Sequence, residues 1–293
     1  MRKTKLQYTA AMFNSNRTLI EVFIEHSRGA FTEAFPTHER GYGQLFEQAA
    51  LTALETVLNC DCAYHDINHT LLVTDVGQTM LKGRQIALGD VTPHAWLHAV
   101  IAMLFHDTGY LRGLLHGDRD GRYVIDASGT HVDIPPEATD AALTTYHVDR
   151  GVLFVRQRFA HEQALDVDLI GRHIEMTRYP VPDASFYQRT NGFGALVRSA
   201  DLLGQMADPL YLQKLARLYA ELVETGEAER LGYRNAREMR DAFPAFYYRH
   251  VQPYIGEGLE FLSKTQEGHQ WVANLNHHLH ATRGVIGKPW SSH

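Results

Sequence analysis

Cysteine is almost missing from this chain: Cys60 and Cys62, one residue apart, are the only two among 293 residues. That spacing suits neither a disulfide framework nor a zinc ribbon, and it points to a reducing, cytoplasmic setting. Long apolar runs are missing as well. The stretch AVIAMLF at 99–105 falls far short of the roughly 20 residues that span a bilayer, and MRKTKLQYTAAMF at the N-terminus carries charge with no apolar segment behind it. A membrane partner is therefore not expected. There is also no long block of one charge. The 28 basic and 34 acidic residues are interspersed and leave a net charge of −6, so no electrostatic footprint marks a surface for polymeric nucleic acid. No repeat or low-complexity linker divides the sequence, which reads as a single helical domain over 1–293.

What the chain does have is apolar content and histidine. At 44% hydrophobic residues it can bury a large core. Apolar positions recur at helical spacing in LFEQAALTALETVL (45–58), HAWLHAVIAMLFH (94–106), AALTTYHVDRGVLFVRQRF (141–159) and GALVRSADLLGQM (194–206), so the fold class is all-α. Thr92-Pro93 marks one helix start, with a capping hydroxyl before a first-turn proline, and Pro135-Pro136 marks another leading into EATDAALTTY. LLHGDRDGR (114–122) reads as a loop, and RYVIDASGTHVDI (122–134) alternates about a Ser-Gly turn as a small β-hairpin. Pro244 and Pro253 should break or kink the C-terminal helices. Eighteen histidines hint at metal or acid-base chemistry, although His277, His278 and His280 in NHHLH read as the polar tail of a helix.

Helical wheels place several of these polar residues on apolar stripes. In YHDINHTLLVTDV, His65 and His69 share a face with Val73 and Val76. His106 ends a helix whose facing residues are Ala99, Ala102 and Met103, and Asp107 follows where the helix can unwind toward Gly109. His147 shares a face with Leu143, Gly151 and Phe154, His173 with Leu165, Leu169 and Met176, and Asp201 with Val197 and Gly204. Any one of them would also fit a core residue hydrogen-bonded to a neighbour. Together, inward imidazoles and carboxylates on five helices form a plausible site for one or two divalent ions, with Fe, Mn, Zn, Ni or Mg all compatible with the donors.

YHDINH, LFHDTGY and the later RSADLL resemble the HD-domain metal-dependent phosphohydrolase superfamily, whose signature is H…HD…D on a helical core. The resemblance covers about 45–215, leaving helical extensions at 1–44 and 216–293 that would cover the core, cap the substrate pocket or form a homodimer interface. It implies His69, His106, Asp107 and Asp201 as ligands of a first metal. YHDINHTLLVTDV is also similar to the Tyr-His-Asn-x-x-His signature of cyclic-nucleotide phosphodiesterases, which implies His65 as general acid. His147 and His173 lie where dinuclear members, the cyclic-dinucleotide phosphodiesterases among them, have two further ligands. Tyr110 departs from the pattern, because the cyclic-nucleotide enzymes have histidine there and the HD-GYP enzymes lysine, and HIEMTRYP (173–180) only echoes the HD-GYP signature.

The resemblance thus implies hydrolysis of a small phosphoester, a nucleotide or cyclic nucleotide, by metal-activated water with His65 protonating the leaving group. Asp66 reads as an acid at a helix start, with a role in orienting the network as the other reading. Arg112, Arg119 and Arg178 are candidates for binding the remaining phosphate oxygens, or are solvated loop charges. Two other classes stay open: a di-iron HD-domain oxygenase acting on a small molecule, and a binding protein with a structural ion.

Overall fold

The computed structural model describes residues 14–37 and 40–282. The expected extensions at 1–44 and 216–293 thus lie partly outside the described residues, at 1–13, 38–39 and 283–293. Between these limits the chain is all-α with one small hairpin. In order come α1 (Ser15–Ala34), α2 (Arg40–Leu58), α3 (Ile67–Leu88), α4 (Pro93–Phe105), β1 (Arg122–Val124), β2 (His131–Asp133), α5 (His147–Arg158), α6 (Val167–Glu175) and α7 (Phe193–Met206). Then follow α8 (Tyr211–Glu224), α9 (Glu227–Arg230), α10 (Ala236–Phe246), α11 (Gly256–Leu262) and α12 (Gln266–Thr282).

Helix α4 is the axis of the fold. Thr92 Oγ1 accepts a hydrogen bond from Ala95 N at 3.1 Å, Pro93 opens the first turn, and every residue from Trp96 to Phe105 is buried. A helix apolar on all sides belongs in the interior. Helices α2, α3, α6 and α7 surround it, and α3 also lies along α7. One buried apolar cluster runs from Ile20 in α1 to Leu279 in α12. The C-terminal helices share it: α11 sits on α3 so closely that a Cβ at Gly83 would lie 2.0 Å from Phe261 O. His278, expected in a polar tail, is buried there, and its Nδ1 donates to Met206 O at 2.8 Å.

The hairpin pairs Arg122 with Asp133 and Val124 with His131 in antiparallel register. Pro244 lies inside α10, and its missing N–H precedes a change to π-helical winding at Tyr247–Val251. Pro253 falls in the 3₁₀ turn Gln252–Tyr254 that follows. Among the described residues, no helix is long and apolar enough to cross a membrane.

Three local expectations are corrected. No α-helix starts at Pro135-Pro136; a turn leads instead into a 3₁₀ helix at Asp140–Leu143. The helix expected over 141–159 is therefore split. Thr144 Oγ1 bonds back to Ala141 O at 2.5 Å and the chain turns before α5 begins at His147. His65 is not on α3 at all. Asp66 caps that helix, accepting from His69 N at 3.1 Å, and His65 precedes the cap.

Candidate metal centre

Four of the expected residues converge where α3, the end of α4 and α7 meet. His69 stands in the first turn of α3, His106 and Asp107 follow the last turn of α4, and Asp201 projects from the middle of α7. His69 Nε2 lies 3.2 Å from His106 Nε2, 3.2 Å from Asp107 Oδ2 and 3.4 Å from Asp201 Oδ1. His106 Nε2 lies 3.1 Å from Asp107 Oδ2 and 3.7 Å from Asp201 Oδ1. His69, His106 and Asp201 form a set able to hold a metal ion.

Hydrogen bonds around the cluster set its chemistry. His106 Nδ1 lies 2.7 Å from Met103 O, and a carbonyl only accepts, so Nδ1 carries the proton. In the neutral ring Nε2 is then a lone pair facing the carboxylates. Asp107 Oδ2 is buried without a hydrogen-bond partner, and the nearest His106 nitrogen, 3.1 Å away, turns a lone pair toward it. A buried carboxylate oxygen surrounded by acceptors is costly unless a cation lies between them. The donor set of imidazoles and carboxylates fits a divalent ion.

The carboxylates also make the imidazoles more basic than usual. Burial opposes a charge on His69, but the adjacent Asp107 and Asp201 carboxylates outweigh this and push its pKa up to about 10. His106 is raised as well, burial again being outweighed by Asp107 and Asp201. Burial works to raise the Asp107 carboxyl, and the neighbouring imidazoles, His106 foremost, hold it well below the usual range. Without an ion, protons on the imidazoles balance these carboxylates.

His147 flanks the set. It begins α5, its Nδ1 donates to Thr144 O at 2.6 Å, and its free Nε2 lies 3.8 Å from Asp107 Oδ1. Asp107 thus turns one oxygen to His69 and His106 and the other to His147. Gly109 permits the approach, since a Cβ there would lie 1.9 Å from His147 O. Burial lowers the His147 pKa and keeps the ring neutral, as a ligand must be.

His173 is not brought to the cluster. It neighbours Gly194 at the start of α7 and is influenced by His98 in α4. Gly194 is seven residues before Asp201 and His98 eight before His106, which puts His173 roughly 10 Å back along both helices. Burial, with help from His98 and Arg172, lowers its pKa to about 4, so it is a neutral core histidine.

His65 stands beside the set, its ring centroid 5.7 Å from that of His69. Glu221 of α8, a residue not anticipated from the sequence, holds it: Oε2 lies 2.6 Å from His65 Nδ1, and Oε1 accepts from Tyr64 N at 2.6 Å. Burial works against charge on His65, but Glu221 prevails and the pKa is raised. Burial likewise works to raise Glu221, and His65 lowers it on balance. Glu221 lies three residues after Leu218 on the inner face of α8, so an acid on an apolar stripe was the signal available. Tyr110 is stacked between His65 at 4.6 Å and His147 at 4.3 Å.

The three arginines do not reach the cluster. Arg112 Nε binds Asp140 at 2.7 Å, Nη1 binds Ala138 O at 2.7 Å and Nη2 binds Asp61 at 2.9 Å. Arg178 is forked onto Asp149 at 2.9 Å and paired with Glu175 at 2.5 Å. Arg119 is exposed on the loop before β1, and no ion pair links it to the cluster. Asp66 is the α3 cap and lies 3.6 Å from Arg217.

Fold and site together define an all-helical protein with a His/Asp cluster able to hold a metal ion at its centre. Over residues 13–283 the sequence matches the Npun_R2479-like family, and the chain belongs to it. No curated protein and no solved structure matches it.

Proposed function

We propose that this protein is an HD-domain metal-dependent phosphohydrolase, a phosphodiesterase acting on a small nucleotide or cyclic nucleotide. The observation that carries the reading is the convergence of His69, His106, Asp107 and Asp201, with the buried Asp107 Oδ2 left without a hydrogen-bond partner. These four would hold the first ion, and His147 with the other Asp107 oxygen would hold a second. Divalent ions held there would supply a water acidic enough to act as hydroxide near neutral pH and would polarise the phosphoryl oxygens.

The chain's own part lies with His65 and Glu221. Glu221 fixes Nδ1 and favours the imidazolium, which leaves Nε2 on the opposite edge of the ring to give its proton to the departing alkoxide. Tyr110, stacked on the same ring, keeps its plane fixed. The unpaired cysteines accord with a cytoplasmic protein.

An anaerobic screen of nucleotide monoesters, cyclic mononucleotides and cyclic dinucleotides tests the proposal. Metal-dependent release of phosphate or opening of a cyclic ester without oxygen supports it. Turnover only with oxygen would replace it with a di-iron oxygenase. A chelator that unfolds the protein, with no ester cleaved, would replace it with a structural ion.

A further inference from the structure

Cys60 and Cys62 lie in the segment between α2 and the α3 cap, and the site described above does not use them. Asp61 between them is turned aside: its N donates to Asp140 Oδ2 at 3.0 Å, and its carboxylate accepts from Asp140 N at 2.6 Å and from Arg112 at 2.9 Å. Asp61 is exposed, while the cysteines on either side of it turn inward. They meet in one small apolar cluster with Tyr110 and Ala141. Their exposure differs, for Cys60 is half-buried while Cys62 is 6% exposed.

We propose that Cys60 and Cys62 are a reversible thiol pair that closes to a disulfide when a peroxide reaches Cys60. The Cys60 thiolate attacks one peroxide oxygen, the O–O bond breaks, and hydroxide leaves and is protonated to water, giving Cys60 sulfenic acid. The Cys62 sulfur then attacks the Cys60 sulfur. The S–O bond breaks and hydroxide leaves with the Cys62 proton as a second water, so two thiols are oxidised and one peroxide is reduced. Contact with Cys60, together with burial, holds the Cys62 thiol protonated, which leaves the first attack to the more exposed Cys60.

Closure has a consequence for the centre. It draws the sulfurs to about 2.05 Å beneath Tyr110, whose ring separates His65 from His147. The pair also sits a few residues before His65 on the same segment. The inference does not depend on which reaction the centre performs.

The test treats the full-length protein with hydrogen peroxide, alkylates remaining thiols and reads the intact mass. The expected result is a loss of about 2 Da with neither cysteine alkylated, reversed by dithiothreitol. In Cys62→Ser the same exposure should add oxygen to Cys60, because no partner thiol remains to resolve the sulfenic acid. Wild type that stays fully alkylatable, or gains oxygen on Cys60 as fast as Cys62→Ser does, would overturn the proposal. Amide exchange over residues 63–66 should quicken several-fold in the oxidised protein; identical exchange in both forms would refute the link to the centre.

Discussion

Glu221 Oε2 lies 2.6 Å from Nδ1 of His65, joining a side chain of α8 to the residue before the α3 cap across 156 positions of sequence. Under the proposed function, the pair makes His65 an acid rather than a ligand. His65→Ala should keep metal content near wild type while phosphoester turnover falls roughly 10²- to 10⁴-fold, and esters with good leaving groups should suffer less. Glu221→Gln removes the carboxylate that raises the His65 pKa, so the alkaline limb of the rate profile should move to lower pH. An unmoved limb would show that the carboxylate does not govern the acid.

His147 and His173 should now part company. His147→Ala is expected to lower metal content from about two ions per chain to about one. His173→Ala should leave metal content unchanged and cost about 1–3 kcal/mol of stability, as an ordinary buried substitution does. Metal analysis and urea unfolding of both variants read this out, and loss of an ion from His173→Ala would contradict the placement of α6.

Metal uptake should depend on pH with a definite sign. In the metal-free protein His69 holds its proton up to about 10, so an ion must displace it, and Kd should fall about tenfold per unit as pH rises through the neutral range. Stability of the metal-free form runs the other way. The folded pKa is raised from an ordinary 6.5, so its contribution is fully present below 6.5 and is lost as pH rises through about 10. A Tm of the metal-free protein that climbs between those values would count against the cluster's geometry.

The seating of α11 on α3 can be probed at Gly83, where a Cβ would meet the Phe261 carbonyl at 2.0 Å and its carbon at 2.7 Å. Backbone atoms cannot swing aside, so Gly83→Ala should destabilise by about 1–3 kcal/mol or more. Gly29, exposed in α1 with nothing within 4 Å of a Cβ, is the control. Gly29→Ala should stabilise by about 0.5–1 kcal/mol, since alanine favours a helix interior. Equal melting temperatures for Gly83→Ala and wild type would show that the C-terminal helices do not pack as described.

The parts of this architecture legible in sequence were those written locally. Thr92-Pro93 announced α4, the apolar run delivered His106 and Asp107 to its end, and the Ser-Gly turn announced the hairpin. Helical periodicity could say that His173 faces inward but not which end of the bundle it reaches, because that depends on how α6 lies against α4 and α7. Periodicity also ran α5 through Thr144, whose hydroxyl bonds backward and ends the turn. Glu221 escaped notice because its partner is remote in sequence, and the partners of Arg112 and Arg178 emerge only once the loops are folded.

We propose that His69, His106, Asp107 and Asp201 hold a catalytic ion. Its most direct test is metal per chain, with phosphoester turnover on the same sample, in wild type purified without added metal and in Asp107→Ala. Wild type should carry at least one ion per chain and hydrolyse phosphoesters in a metal-dependent way. Asp107→Ala should lose metal and activity together, with circular dichroism still helical, because a ligand rather than core volume has been removed. Wild-type metal content and hydrolysis retained in Asp107→Ala would contradict it.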